Sequence, residues 1–200
     1  MSRERIIVPH RGLQAAKTRL APVLDPDERI ALARTLLDRV LRVARQAADD
    51  VVVISPAASL EPIVVDAGAR LVVQRGLGLN EGLDQARLQA LAEGVEVLAV
   101  LHGDLPNVSA GDIQALLSAA EGDARGVAIA PDRKGTGTNG LALRPPDVIG
   151  FRFGAGSFAA HRHEALTAGL EPGVVQRPGL AFDLDTPEDL ARWLELGDAA

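Results

Sequence analysis

The sequence predicts one α/β domain spanning residues 1–200, with a mostly parallel, twisted sheet and helices on both of its faces. Three observations carry this expectation. Short β-branched runs alternate with longer segments of helical period. Several of the runs are almost wholly apolar, as strands covered on both faces are. Such alternation is the mark of βαβ units, whose crossovers keep neighbouring strands parallel. At 200 residues, 47% of them hydrophobic, the chain can bury one sizeable core, and a second full domain does not fit.

Taken in order, the strands are expected at Arg5 to Val8, Val51 to Ser55, Arg70 to Gln74, Glu96 to Leu101, Gly126 to Ala130, Gly140 to Arg144 and Val174 to Gln176. The first long helix has a legible start: Asp25 as N-cap, Pro26 at the first helical position and Glu28 at the third, a capping-box arrangement. Its positions Ile30, Ala33, Leu37, Val40, Leu41 and Ala44 form one apolar stripe. A second helix should run from Asn80 to Glu93 and a third from Ser109 to Ala120, where Ser109 and Asp112 stand at cap spacing. Later helices should begin near Ser157 and near Pro187. The Gly- and Pro-rich stretch from Pro131 to Gly156 breaks the alternation, which predicts an antiparallel excursion and a long functional loop.

Composition narrows the function. A net charge of −6 and 2% aromatic residues argue against a nucleic-acid binder, which needs phosphate-neutralising cations and stacking rings. The chain has no cysteine, so disulfides, thiolate zinc sites and a cysteine nucleophile are excluded. No apolar run reaches the roughly 18 residues of a membrane span, and the start of the chain leads into a strand rather than a signal-peptide core, so a cytoplasmic location is expected.

Five segments could carry chemistry. Ile6-Ile7-Val8-Pro9 opens into His10-Arg11-Gly12 and then Lys17-Thr18-Arg19, a strand that delivers one glycine and three cations at its C-terminal end, where α/β sheets bind ligands. It is not a Walker-type phosphate loop, because Ala16 stands where a glycine must precede the lysine; an ordinary exposed βα loop is the plain alternative. Asp104, in Gly103-Asp104-Leu105-Pro106 just past a buried strand, suits either a metal ligand or a turn former. Asp183 and Asp185 stand two apart and in an extended segment would point the same way, while Thr186-Pro187 reads as a helix entry. Gly135-Thr136-Gly137-Thr138-Asn139-Gly140 and Phe153-Gly154-Ala155-Gly156-Ser157 offer close backbone approach and a helix N-terminus to an anion, or a glycine-rich turn with a Ser cap. His161 and His163, two apart on a helix, do not share a face, and none of the four histidines is assigned a catalytic role. A dinucleotide oxidoreductase is disfavoured because no Gly-x-Gly-x-x-Gly follows the first strand.

Together, the strand-Pro-x-x-Gly-x4-Lys-x-Arg-Leu opening, Gly-Asp-Leu-Pro, Pro-Asp-Arg-x-Gly-Thr-Gly-Thr-Asn, Phe-Arg-Phe-Gly-x-Gly-Ser-Phe and Asp-Leu-Asp-Thr-Pro cover nearly the whole chain. In these segments the sequence resembles the phosphoenolpyruvate and 2-phospho-L-lactate guanylyltransferases of coenzyme F420 biosynthesis. They belong to a larger group of molybdenum-cofactor-guanylyltransferase-like nucleotidyltransferases with a nucleotide-diphospho-sugar-transferase-like fold. The resemblance implies that Gly12, Lys17 and Arg19 handle the phosphates of GTP, and that Asp104 with Asp183 or Asp185 positions Mg²⁺. It further implies that Thr138, Gly154 and Ser157 hold the phosphorylated acceptor, and that Gly76-Leu77-Gly78-Leu79-Asn80 lies near the guanine, with Gly78 and Asn80 as contacts. The chain departs from the family where His10-Arg11 replaces a frequent Phe-Lys, which keeps the charge in a different geometry.

The implied partners are GTP and a small phosphorylated carboxylic acid. Phosphoenolpyruvate is expected first, then 2-phospho-L-lactate, with 3-phosphoglycerate also in the class. No nucleic acid or membrane is implied, and a homodimer is left open. The other readings are a nucleotidyltransferase of the same group acting on a pterin cofactor or sugar phosphate, and a silent nucleotide-binding regulatory module.

Overall fold

β1 (Glu4–Pro9) sits inside a seven-stranded sheet, and its residues explain why. Ile6 and Val8 are buried against one face and Ile7 against the other, so this strand needs helices on both sides. The computed structural model describes residues 3–76, 78–121 and 124–197, and Leu77 of the expected guanine loop lies outside the described residues. Across the sheet the order is β3 (Arg70–Val73), β2 (Val51–Ser55), β1, β4 (Val97–Leu101), β6 (Thr138–Arg144), β5 (Gly126–Pro131) and β7 (Gly173–Val174). Every pairing is parallel except the two made by β6, which runs against both β4 and β5.

On the Ile6 and Val8 face lie α1 (Pro26–Ala47), α2 (Glu61–Asp66) and α4 (Ala110–Ala120); on the Ile7 face lie α3 (Leu79–Ala92) and α5 (Ser157–Thr167). The chain closes with α6 (Pro178–Ala181) and α7 (Pro187–Gly197). The expected starts hold. Asp25 Oδ1 accepts the Glu28 amide at 2.8 Å while Glu28 Oε2 accepts the Asp25 amide at 2.8 Å, and Ser109 Oγ accepts the Asp112 amide at 3.2 Å. Two elements were not anticipated. α2 and α6, six and four residues long, are too short to display a helical period. β6 begins two residues before the expected Gly140, because Thr138 still pairs with Pro131 across an irregularity in the ladder.

Two further features place the chemistry. At the N-terminal end of the strands, Arg5 is buried and donates from Nε to Asp50 at 2.7 Å and from Nη2 to Glu93, while Arg70 pairs with Asp50 at 2.9 Å. This fixed polar network closes the end of the sheet away from the loops discussed below. At the other end, Leu20, Leu36 and Leu184 form a small separate core with Leu190 and Trp193 packed against it, joining the loop after β1, α1 and the chain before α7.

Candidate active site

Parallel strands bring the C-terminal ends of β1, β2 and β4 to one edge, which places the loop after Pro9 beside the turn after Leu101. Because β6 runs backwards, its beginning reaches the same edge: Gly140 faces Leu101, and the His102 amide donates to Asn139 O at 3.1 Å.

Lys17 is the centre of this edge. It is the only non-glycine among the described residues with a left-handed backbone, φ 54 and ψ 31. Such a conformation costs an L-residue on the order of 1 kcal/mol and persists only where the surroundings fix it. Here the next residues wind into a short 3₁₀ turn, Thr18–Leu20, anchored by Leu20 in the small core. The lysine side chain is thereby sent inward, 5% exposed. Its Nζ donates to Asp104 Oδ2 at 2.8 Å, Asp185 Oδ1 at 3.1 Å and the carbonyl of Leu184 at 2.5 Å. Burial works against the ammonium, yet the two carboxylates outweigh it and hold Lys17 above the ordinary lysine value. Burial likewise works to raise Asp104, but the charges of Lys17 and His102 and the lysine hydrogen bond hold it below the usual carboxylate range. Both groups are charged at neutral pH.

Asp183 behaves differently. Burial pushes its carboxyl up, the Asp104 charge adds to that, and its partner is the Asn139 amide nitrogen at 3.2 Å rather than Lys17. Asp183 and Asp185 therefore do not simply point the same way: Asp185 faces the lysine and Asp183 faces β6. Among the described residues no three Asp, Glu or His side chains are already gathered as a ligand set. Mg²⁺ does not need one, since it is commonly bound by one or two carboxylates plus substrate phosphates and water. Asp104 Oδ1 is buried and accepts no hydrogen bond, an oxygen with a lone pair to offer, and the donors are all hard oxygens, so these residues fit a magnesium ion.

Above this cluster opens a cleft of about 620 Å³, lined among others by Arg11, Lys17, Arg19, Gly78, Asp104 and Asp185. Arg19 is largely exposed, with Nη1 3.6 Å from Asp185 Oδ2. Gly12, at φ +99, holds a backbone conformation strained for any other residue, and a Cβ there would stand a tight 3.0 Å from that of Ala57. Its amide donates to His10 Nδ1 at 3.0 Å, so His10 folds back on its own loop, and burial pushes its imidazole down to about 4.

Thr138, Gly154 and Ser157 do not line that cleft. Thr138 and Ser157 are nearly sealed, and the Thr138 amide donates to Ser157 Oγ at 2.9 Å. Gly154 is exposed at φ +134 beside them. Asn80 is committed elsewhere than to an open cleft: its Oδ1 accepts the Phe153 amide at 2.9 Å and its Nδ2 donates to the Phe153 carbonyl at 3.1 Å, which ties α3 to the glycine loop. His161 is fully buried in the same region. Its Nε2 accepts the Arg152 amide at 2.9 Å, which leaves the ring proton on Nδ1 to reach Thr138 Oγ1 at 3.0 Å.

Burial pushes His161 down to about 4 from its ordinary 6.5. The unfolded chain therefore takes up the proton first, so stability is full above about pH 6.5 and declines as pH falls toward 4, by up to about 3 kcal/mol from this residue. Urea unfolding at pH 7 and pH 5 should show a smaller loss in His161→Gln than in the parent chain; equal losses would refute the assignment.

Comparisons with known proteins give the chain's family and fold relatives. A family profile described as "Guanylyl transferase CofC like" matches residues 4–199. The chain belongs to that family. Its relatives carry several names. It is 46% identical over 187 residues to the phosphoenolpyruvate guanylyltransferase of Sphaerobacter thermophilus, covering 92% of this chain and 89% of the relative. It is 34% identical over 194 residues to the 2-phospho-L-lactate guanylyltransferase of Methanothermobacter thermautotrophicus, covering 96% and 84%. A relative from Phenylobacterium zucineum, 36% identical over 190 residues and covered to 86% against 92% of this chain, is named 3-phospho-D-glycerate guanylyltransferase. In fold, this CofC-like chain matches a nucleotidyl transferase from Methanothermobacter with TM-score 0.71 at 18% identity, covering 98% of each chain.

Sequence reasoning passed over His161, Asn139 and Arg133. His161 carried no usable signal, since its partners lie nine and 23 residues away. Asn139 and Arg133 lie in the Pro-Asp-Arg-x-Gly-Thr-Gly-Thr-Asn segment, but their partners stand 41 to 56 residues away along the chain.

Proposed function

We propose that this chain transfers GMP from GTP to a small phosphorylated carboxylic acid, phosphoenolpyruvate first among them, releasing pyrophosphate in coenzyme F420 biosynthesis. The observation that carries the reading is Lys17 Nζ held between Asp104 and Asp185 beneath a cation-lined cleft, in a CofC-like guanylyltransferase. A phosphate oxygen of the acceptor attacks the α-phosphorus of GTP, and the bond to the pyrophosphate oxygen breaks. With a second pKa of about 6, the acceptor phosphate is already ionised at neutral pH and needs no general base. This is why four histidines and no cysteine suffice without a catalytic assignment.

The work left to the protein is to hold two polyanions in line. Arg19 and Arg11 offer cations to the triphosphate from the loop that Gly12 shapes; Lys17, whose three N–H donors go to Asp104, Asp185 and the Leu184 carbonyl, holds the carboxylates beneath it, and Gly78 approaches the base. Asp104 and Asp185, with Asp183 behind them, would hold Mg²⁺; when bound, the ion would screen the phosphates and stabilise the charge that develops on transfer. The acceptor belongs to the loops carrying Thr138, Gly154 and Ser157, where Thr138 and Ser157 brace the backbone and Gly154 leaves it open to approach. A need for free GTP supports a cytoplasmic reaction; among the described residues no helix is long and apolar enough to cross a membrane.

Incubation with GTP, Mg²⁺ and each of phosphoenolpyruvate, 2-phospho-L-lactate and 3-phosphoglycerate, followed by mass spectrometry, tests the reading. The expected product joins GMP to phosphoenolpyruvate with one pyrophosphate per turnover. Absence of a GMP conjugate with all three acids would overturn it.

A further inference from the structure

Asp189 and Arg133 take no part in the reaction above, yet they stand directly behind Asp185. Asp189 is 8% exposed, and both of its oxygens are used. Oδ2 accepts from the Thr186 amide at 3.0 Å, the Thr186 hydroxyl at 2.9 Å and the Asp185 amide at 3.3 Å; Oδ1 accepts from Arg133 Nη2 at 2.9 Å. An ordinary capping box at the start of α7 needs only the exchange between Thr186 and Asp189. The bond to the Asp185 amide and the arginine go beyond it.

Arg133 comes from the loop between β5 and β6, and that loop is stiff. The Asp132 amide donates to Gly137 O at 3.0 Å, and Asp132 Oδ1 accepts the Thr136 amide at 2.8 Å. The guanidinium also lies 5.4 Å over the ring of Phe182, immediately before Asp183. The segment between them is thus gripped along its length. Leu184 donates to Asp104 O at 3.1 Å and accepts from Lys17, the Asp183 carboxylate accepts from Asn139, and the Asp185 amide bonds to Asp189. Such grips are needed because Asp104, Asp183 and Asp185 place like charges at close range, and repulsion would push the chain outward. A charge-assisted bond from a planar guanidinium is a strong and well-oriented restraint.

We propose that the Arg133–Asp189 pair is a positioning device that sets how closely the Asp185 carboxylate approaches Asp104, and with it the affinity of the site for a divalent cation. The proposal rests on the reading that Asp104 and Asp185 hold that cation. Mn²⁺ is the probe, titrated into the full chain and followed by its electron paramagnetic resonance, with no GTP and no turnover. Arg133→Ala should weaken Mn²⁺ binding by about tenfold, the scale on which residues behind metal ligands act. Arg133→Lys should recover part of the loss. Thermal melting and GTP affinity measured in EDTA should stay near the parent values.

Unchanged Mn²⁺ affinity in Arg133→Ala, alongside loss of binding in Asp104→Asn, would overturn the positioning role while leaving the metal reading intact. Unchanged Mn²⁺ binding in Asp104→Asn would remove the metal reading, and the positioning role falls with it. A parallel loss of GTP affinity and melting temperature in Arg133→Ala, with no recovery in Arg133→Lys, would make the pair a structural tie and also overturn the proposal.

Discussion

Asp104→Ala is expected to lower guanylyl transfer by about 10²- to 10³-fold, the range for removing one group that stabilises charge in a transition state. One Asp104 oxygen accepts Lys17 at 2.8 Å and the other is buried with no partner. Its backbone carbonyl, which accepts the Leu184 amide, survives the substitution, so the fold around it is retained. Lys17 keeps Asp185 and the Leu184 carbonyl as partners. Pyrophosphate release at saturating GTP and acceptor, measured beside thermal unfolding, separates the two effects. A near-parental Mg²⁺-dependent rate would end the assignment, and the same comparison applies to Asp185→Ala.

Lys17→Ala should act on both rate and stability. Among the described residues the ammonium is the only side chain that donates a hydrogen bond to both Asp104 and Asp185, so removing it leaves two carboxylates facing each other across the space it filled. Breaking a sealed pair costs about 3–5 kcal/mol, but Asp185 is 38% exposed and solvent takes up part of its charge, so a loss of about 1–3 kcal/mol is expected. Turnover should fall by about 10²-fold or more for want of the buried cation. The distinguishing result is in melting curves: Mg²⁺ should raise the melting temperature of Lys17→Ala more than that of the parent chain, because Asp104 then has no ammonium beside it and Asp185 keeps only the exposed Arg19. Identical Mg²⁺ effects on the two proteins would count against the shared carboxylate pair.

Much of this was legible because local chemistry dictates it. The capping box at Asp25 and Glu28 and the apolar runs at Ile6 to Val8 and Val97 to Leu101 depend on neighbours a few residues away, and the structure has each in place. The approach of Lys17 to Asp104 and Asp185 spans 87 and 168 residues, and only the family motifs pointed to it. What could not be read was the disposition of pairs within a motif. Alternation along an extended chain puts Asp183 and Asp185 on one side, but the segment is irregular, and Asn139 draws one carboxylate while Lys17 draws the other. Asn80 looked like a polar group free for a base; its two hydrogen bonds to Phe153 depend on a contact 73 residues distant.

The reversed direction of β6 has a consequence for how such enzymes diverge. The loop bearing the lysine and the turn bearing Asp104 follow parallel strands, whose connections must cross over through a helix. The stretch before β6 is a hairpin loop, which can gain or lose residues without disturbing any strand pairing on the other side of the sheet. On the proposed function, the hairpin brings Arg133 and Thr138 to the site from a segment whose length is set independently of the β1 and β4 crossovers.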